Sequence, residues 1–142
     1  VSDRGHAGVE LGLAIGLLLL PVAVAVLAFG PWSERRVLAE AAAAEASRAA
    51  VIDLTTGPGT EVVLEMASNH GLDPGLVRLG WCGALPEEPS VAVSNCSFSR
   101  GTEVTAEVLV WVPLVATPWG EVGGIWVGAT HSEPIDLYRS LG

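Results

Sequence analysis

Lysine is absent from this 142-residue chain, and seven arginines stand against sixteen aspartates and glutamates, a formal net charge of −9. A surface so poor in cations cannot release counterions from a phosphate backbone, which excludes nucleic acid as a partner. The shortage deepens along the chain: from Asp53 onward three arginines face eleven acids. That charge repels anionic lipid, so any membrane contact by the distal part has to be apolar, and none is expected there. A chain without lysine but rich in Ala, Gly, Val and Arg reads as the codon bias of a GC-rich genome, not as function. Cysteine is scarce as well. Cys82 and Cys96 alone cannot make a structural zinc site, which needs four ligands at tighter paired spacing. With turn-forming Pro86, Pro89 and Ser94-Asn95 between them, they read either as a disulfide or as two unpaired small hydrophobes. A disulfide, in an oxidising compartment, would contribute about 3 kcal/mol to so small a domain.

Catalytic signatures are missing too. There is no Gly-x-Ser-x-Gly elbow, phosphate loop or dinucleotide fingerprint. His131-Ser132-Glu133 has no second histidine at a metal-ligand spacing, and His70, just before Gly71, reads as a helix C-terminal cap. Glu87-Glu88 reads as a solvated loop. Trp111, Trp119 and Trp126 suit either a carbohydrate or protein contact surface or ordinary strand packing. No convergent set of titratable residues emerges, so the expectation is a protein that is not an enzyme and carries no cofactor or metal.

What the chain does have is a long hydrophobic run. The nineteen residues Leu11 to Phe29 carry no charge and no side-chain hydrogen-bonding group. At 1.5 Å per residue they come close to the ~30 Å of a bilayer's hydrocarbon core. A buried core helix is the competing reading, but a small protein has too little left to cover such a cylinder on all sides. A cleaved secretory signal is shorter and ends in a small-x-small site, which Ala25-Val26-Leu27 and Leu27-Ala28-Phe29 fit poorly. Pro21 falls mid-span and should bend the helix, and Gly30-Pro31-Trp32 marks the far interface.

Glu10 is the one acid at the edge of this run. Taken alone, it suits the headgroup region at the positive end of a helix dipole. Gly5 stands five residues before it, preceded by Arg4, and the apolar run begins immediately after. This arrangement resembles the class III signal peptides of the type IV pilin superfamily. Arg4-Gly5 through Val9-Glu10, the apolar run, Phe29-Gly30 and the alanine-rich stretch around Ala43–Ala50 look like the TadE-like pseudopilins of tight-adherence (Flp) pilus systems. The resemblance covers roughly residues 4–52. It implies cleavage by a prepilin peptidase after Gly5, so that His6 becomes the first residue. It also implies that Glu10 pairs with the free terminal amine of a neighbouring subunit, where either charge left alone in low dielectric is costly. Implied partners are other pilin-like subunits, the peptidase and the pilus assembly machinery. The implied location is the bacterial inner (cytoplasmic) membrane, single-pass, with the C-terminal domain extracytoplasmic. Arg35 and Arg36 on the distal flank slightly favour the opposite orientation by charge counting, whereas the cysteine pair and the pilin-like start favour this one.

The expected organisation is therefore a leader at 1–5, a transmembrane helix at 6–30, a continuing helix at 31–56 and a small α+β domain at 57–142. Pro31 and Trp32 open the continuing helix, eight of the twelve residues from Ala39 to Ala50 are alanine, and Gly57-Pro58-Gly59 closes it. Val37, Leu38, Ala41, Ala44, Val51 and Ile52 mark one side, ready to pack on a partner's stalk or on the protein's own sheet. Arg36/Glu40 and Glu45/Arg48 stand at helical spacings. Thr60 caps a short second helix running to about Asn69 and ended by Gly71, and Asp73-Pro74-Gly75 is a turn. Period-two patterns then mark four strands: Val77, Leu79, Trp81; Val91, Val93; Val104 to Val112; and Ile125, Val127, Ala129. A roughly four-stranded antiparallel sheet covered by the alanine-rich helix makes the expected α+β fold, with the cysteines tying the loop between the first two strands. Two functions stay open: a minor pilin or pseudopilin built into a filament or assisting its assembly, and a single-span anchored domain that binds a ligand or envelope protein without polymerising.

Overall fold

One helix, α1 (His6–Asp53), runs without a break through Pro21 and Pro31 for 48 residues, about 72 Å at the α-helical rise. The apolar run and the alanine-rich stretch that continues it are thus one long N-terminal helix, as expected, with Pro31 inside it. Each proline costs α1 one backbone hydrogen bond. The computed structural model describes residues 6–87, 92–117 and 119–138. Arg36–Glu40 at 3.0 Å and Glu45–Arg48 at 3.2 Å form the two ion pairs their spacing foretold. Both are solvent-exposed and contribute only a few tenths of a kcal/mol each.

The helix turns a different side inward from the one its larger apolar residues suggest. Leu38, Ala39, Ala42, Ala43, Ala46, Ser47, Ala50 and Val51 are buried, whereas Val37 and Ile52 are exposed. Alanine is the reason. A stripe of methyl groups lets another backbone approach closely, so small residues take the middle of the contact, with Leu38 and Val51 buried at its ends and Val37, Ala41 and Ile52 left outside. The partner of this face is the protein's own second helix and sheet.

Helix α1 ends at Asp53 because Leu54 turns into the left-handed region (φ 55) and the Thr55 N–H bonds back to the Ala50 carbonyl at 3.2 Å. The second helix, α2 (Thr56–Asn69), starts at once, with Thr55 at its N-cap position. Gly57-Pro58-Gly59, expected to end the first helix, instead forms the first turn of the second. Proline is tolerated there because first-turn N–H groups have no intrahelical acceptor. Thr60 is accordingly no cap; its hydroxyl donates to the Thr56 carbonyl at 2.9 Å inside the helix. Gly59 is required for a different reason. A methyl on it would come within 2.5 Å of both the Ala46 carbonyl oxygen and the Trp81 ring, so α1, α2 and the sheet meet at this glycine. His70 caps the far end, with Gly71 (φ 68) in the left-handed position that terminates helices.

Beyond a short 3-10 turn at Pro74–Leu76, where the Asp73 carboxylate accepts from the Gly75 N–H at 2.7 Å, come β1 (Val77–Trp81), β2 (Ala92–Ser94), β3 (Glu103–Thr117) and β4 (Gly120–Pro134). The sheet order is β2-β1-β3-β4. Strands β1, β3 and β4 form an antiparallel three-stranded sheet, but β2 lies parallel to β1, with Leu79 beside Ala92 and Gly80 beside Val93. The expected antiparallel fourfold sheet is corrected here. The physical cause is a tight turn directly after β1. Trp81 and Ala84 exchange backbone hydrogen bonds at 2.9 and 3.1 Å through left-handed Cys82 and Gly83, which reverses the chain at once. When it comes back to the sheet it travels in the direction of β1. Val91 of the expected second strand lies outside the described residues.

The alternation on β3 is as the period-two pattern foretold: Val104, Ala106, Val108, Val110 and Val112 are buried and the residues between them are not. With Val77, Leu79 and Trp81 of β1, the first four of them meet the alanine face of α1 and Val63 and Ala67 of α2 in one core.

Candidate functional site

Among the described residues the N-terminal half of α1 is bare over most of its length. Val9, Leu11, Leu13, Leu17 to Leu20, Val26 and Leu27 are all exposed, and an 18-residue window of this helix has nothing buried within the protein. Among the described residues this is the one helix long and apolar enough to cross a membrane, consistent with single-pass anchoring. Its upper boundary is marked chemically. Phe29 and Trp32 pack at 5.8 Å between ring centroids, the Arg36 guanidinium lies 5.7 Å from the Trp32 ring, and Arg36 pairs with Glu40. One helix side thus passes from aliphatic to aromatic to charged within three turns, the order in which a bilayer passes into water. Ser33, just beyond Pro31, donates its hydroxyl to the Gly30 carbonyl at 2.9 Å.

Glu10 is exposed and one helical turn beyond His6, the first described residue of α1. Among the described residues it forms no ion pair, so its carboxylate is free for a group from outside this set. Gly5 and the remainder of the leader at 1–5 lie outside the described residues. Among the described residues this end offers one carboxylate at the rim of an apolar cylinder, able to neutralise one cation.

The second site feature is covalent. Cys82 and Cys96 are joined, with Cα atoms 5.2 Å apart. Cys82 follows β1, and its N–H donates to the Thr105 carbonyl at 2.8 Å; Cys96 follows β2, and the Asn95 N–H bonds to the Trp81 carbonyl at 3.3 Å. The bridge therefore ties the ends of the two parallel strands, and β2 lies within the loop it closes. Trp81 beside it is fully buried, and among the described residues its indole N–H has no partner. The ring occupies the place a side chain on Gly59 would need.

The outer face of the sheet carries an aromatic cluster. Trp111 of β3 and Trp126 of β4 are register partners, edge to face at 5.3 Å, with the Arg78 guanidinium 4.2 Å from the Trp126 ring. Gly124 is glycine because the Trp111 ring occupies the place of a side chain there. Of the three tryptophans considered as a contact surface, two therefore pack on the sheet, and Trp119 alone stands clear at 88% exposure. His131 lies 3.6 Å from Glu133 across one strand, and among the described residues no group of three or more His, Cys, Asp or Glu side chains converges on a metal-sized site.

Sequence reasoning missed the reach of the β3–β4 hairpin. Val112, Leu114 and Ile125 share an apolar groove with Ala25, Phe29 and Trp32 of α1, so the hairpin descends alongside the hydrophobic run. The available signal was composition: from Val108 to Thr130 the only ionisable residue is Glu121. Compared with family models, curated proteins and solved structures, the chain matches none of them.

Proposed function

We propose that this protein is a minor pilin or pseudopilin of a Tad/Flp-type pilus, anchored in the bacterial inner membrane with its α+β head outside, and built into the filament or assisting its assembly. The observation that carries the reading is the division of labour along α1. Its first half is an apolar rod with an 18-residue stretch wholly unburied, and its second half is the spine of a small disulfide-closed head. A rod of that kind can stand in a bilayer and afterwards pack against identical rods without refolding, because both surroundings are apolar. Glu10 supplies register. In a bundle of such rods an unpaired carboxylate is costly, and a neighbour's terminal amine at one height relieves that cost. Processing after Gly5 creates this amine at His6. The partners are other pilin-like subunits, a prepilin peptidase and the assembly machinery.

The test is Glu10→Ala in the native host, with sheared filaments and membranes assayed separately. Removing one partner of a buried pair costs about 3–5 kcal/mol, so the variant should stay in the membrane with a folded, oxidised head and be lost from filaments. Incorporation at the normal level would refute the pairing.

A further inference from the structure

We propose that copies of this chain associate side by side through their heads, the outer sheet face of one copy receiving the acidic outer face of α2 from the next. This rests on reading α1 as a membrane anchor, which holds every copy upright and at one height.

The sheet face turned away from α1 is built to lie flat. In the register, Arg78 of β1, Leu109 of β3 and Gly128 of β4 form one row, and Trp111 and Trp126 belong to the next row on the same face. The Leu109 side chain takes the space a side chain on Gly128 would need, and the Trp111 ring takes that of Gly124. Two glycines thus let large groups lie down on the strands, and the result is an apolar plateau where a solvated sheet face is ordinarily polar. Its one cation is Arg78. The guanidinium lies 4.2 Å from the Trp126 ring, and among the described residues its buried Nε has no partner and no carboxylate is within ion-pair distance. Glu107, the nearest acid in the register, stands in the row on the other side of Leu109, so Arg78 leans away from it.

The opposite side of the head carries the complement. Gly59, Val63 and Ala67 are the buried residues of α2, so Glu61 and Glu65 stand on the far side of that helix, both exposed. Among the described residues neither has a cation in reach, and like charges four residues apart on a helix repel. Heights agree as well. The Trp81 ring meets Gly59, which abuts the Ala46 carbonyl, so Trp81 and Gly59 share a level. From there α2 descends toward the groove its Met66 and His70 share with Ser33 and Glu34 of α1. Glu61 is about 3 Å and Glu65 about 9 Å below Gly59. Val77 pairs with Val110, on the side of β3 that leads to the Phe29–Trp32 groove, so Arg78 lies about 10 Å below Trp81. Upright neighbours therefore bring Arg78 to the level of Glu65. The contact is heterologous and leaves a free plateau and a free α2 at its two ends, so it extends into rows. Two plateaus facing each other would instead oppose two arginines.

Both cysteines of the chain are in the disulfide, so introduced thiols react selectively. Thr130→Cys stands beside the plateau, and Gly57→Cys is on α2, where a side chain meets nothing within 4 Å. The full-length chain with both changes, on opposite sides of one head, is produced in bacterial membranes and treated with a short bismaleimide. A ladder of dimers, trimers and longer products is expected, with monomer alone from either single change. Arg78→Glu, or Glu61→Arg with Glu65→Arg, should each cut the ladder at least about fivefold, because like charges then oppose across the contact. Combining them should restore it, which a merely misfolded head could not do. A ladder indifferent to either reversal, a combined variant no better than the single ones, or no ladder from a membrane-held chain overturns the inference and leaves the anchor standing. Dimers from Thr130→Cys alone show plateaus facing each other and overturn it too. A chain absent from the membrane fraction overturns the anchor and the inference with it.

Discussion

Replacing Gly59 with alanine should destabilise the head, against the usual rule for helices. Inside α2 the exchange gains about 0.8–1.0 kcal/mol of intrinsic helix preference. The new methyl, however, would stand 2.5 Å from the Ala46 carbonyl oxygen and from the Trp81 ring, about 0.9 Å inside ordinary contact. Neither obstacle is a free side-chain end: one is the main chain of α1 and the other a ring at 0% exposure. Overpacking of this kind costs about 1–3 kcal/mol, so the net loss should be about 1 kcal/mol, or roughly 4–8 °C in Tm for a domain of this size. Gly57, two residues earlier in the same helix, has nothing within 4 Å of a methyl. Gly57→Ala should raise Tm or leave it unchanged. Thermal unfolding in detergent, followed by near-ultraviolet circular dichroism, compares the two directly. If Gly59→Ala is as stabilising as Gly57→Ala, the three-way contact of α1, α2 and β1 is wrong.

Two further perturbations probe the rest of the head. The Cys82→Ser/Cys96→Ser double variant should lose about 3 kcal/mol by loop-closure entropy, measured by urea unfolding. Ala43→Leu, at 0% exposure, should cost about 1–3 kcal/mol. Ala41→Leu, on the exposed side of the same helix, should stay within about 0.5 kcal/mol, and equal effects from the two would contradict the assigned face.

How much of this could be read beforehand depended on which physical signal was being read. Period-two alternation located β1 and β3 well, because a half-buried strand has to alternate and valine at 104, 108, 110 and 112 does so without interruption. The hydrophobic run announced α1 for the same kind of reason. Of the expected inward face of α1, Leu38 and Val51 are buried while Val37, Ala41 and Ile52 are not, because among so many alanines the pattern does not say which stripe the close contact at Ala39, Ala43 and Ala46 selects. Gly57-Pro58-Gly59 read as a stop because proline and glycine break helix interiors. At a first turn proline breaks nothing, and Gly59 answers a tertiary contact that no local rule contains. The parallel pairing of β2 is likewise tertiary, set by the reversal at Cys82-Gly83. At the functional end, Glu10 and the apolar run were legible as a pattern. The descent of the hairpin beside that run was not, since nothing local to residues 108–130 says which part of α1 they will face.

The most direct test of the central claim is the mass of the mature protein recovered from its native membrane. The account predicts a species whose first residue is His6, with the terminal amine available to pair with Glu10 of a neighbour. A mature protein that retains Gly5, or that begins anywhere within or beyond the apolar run, would contradict it.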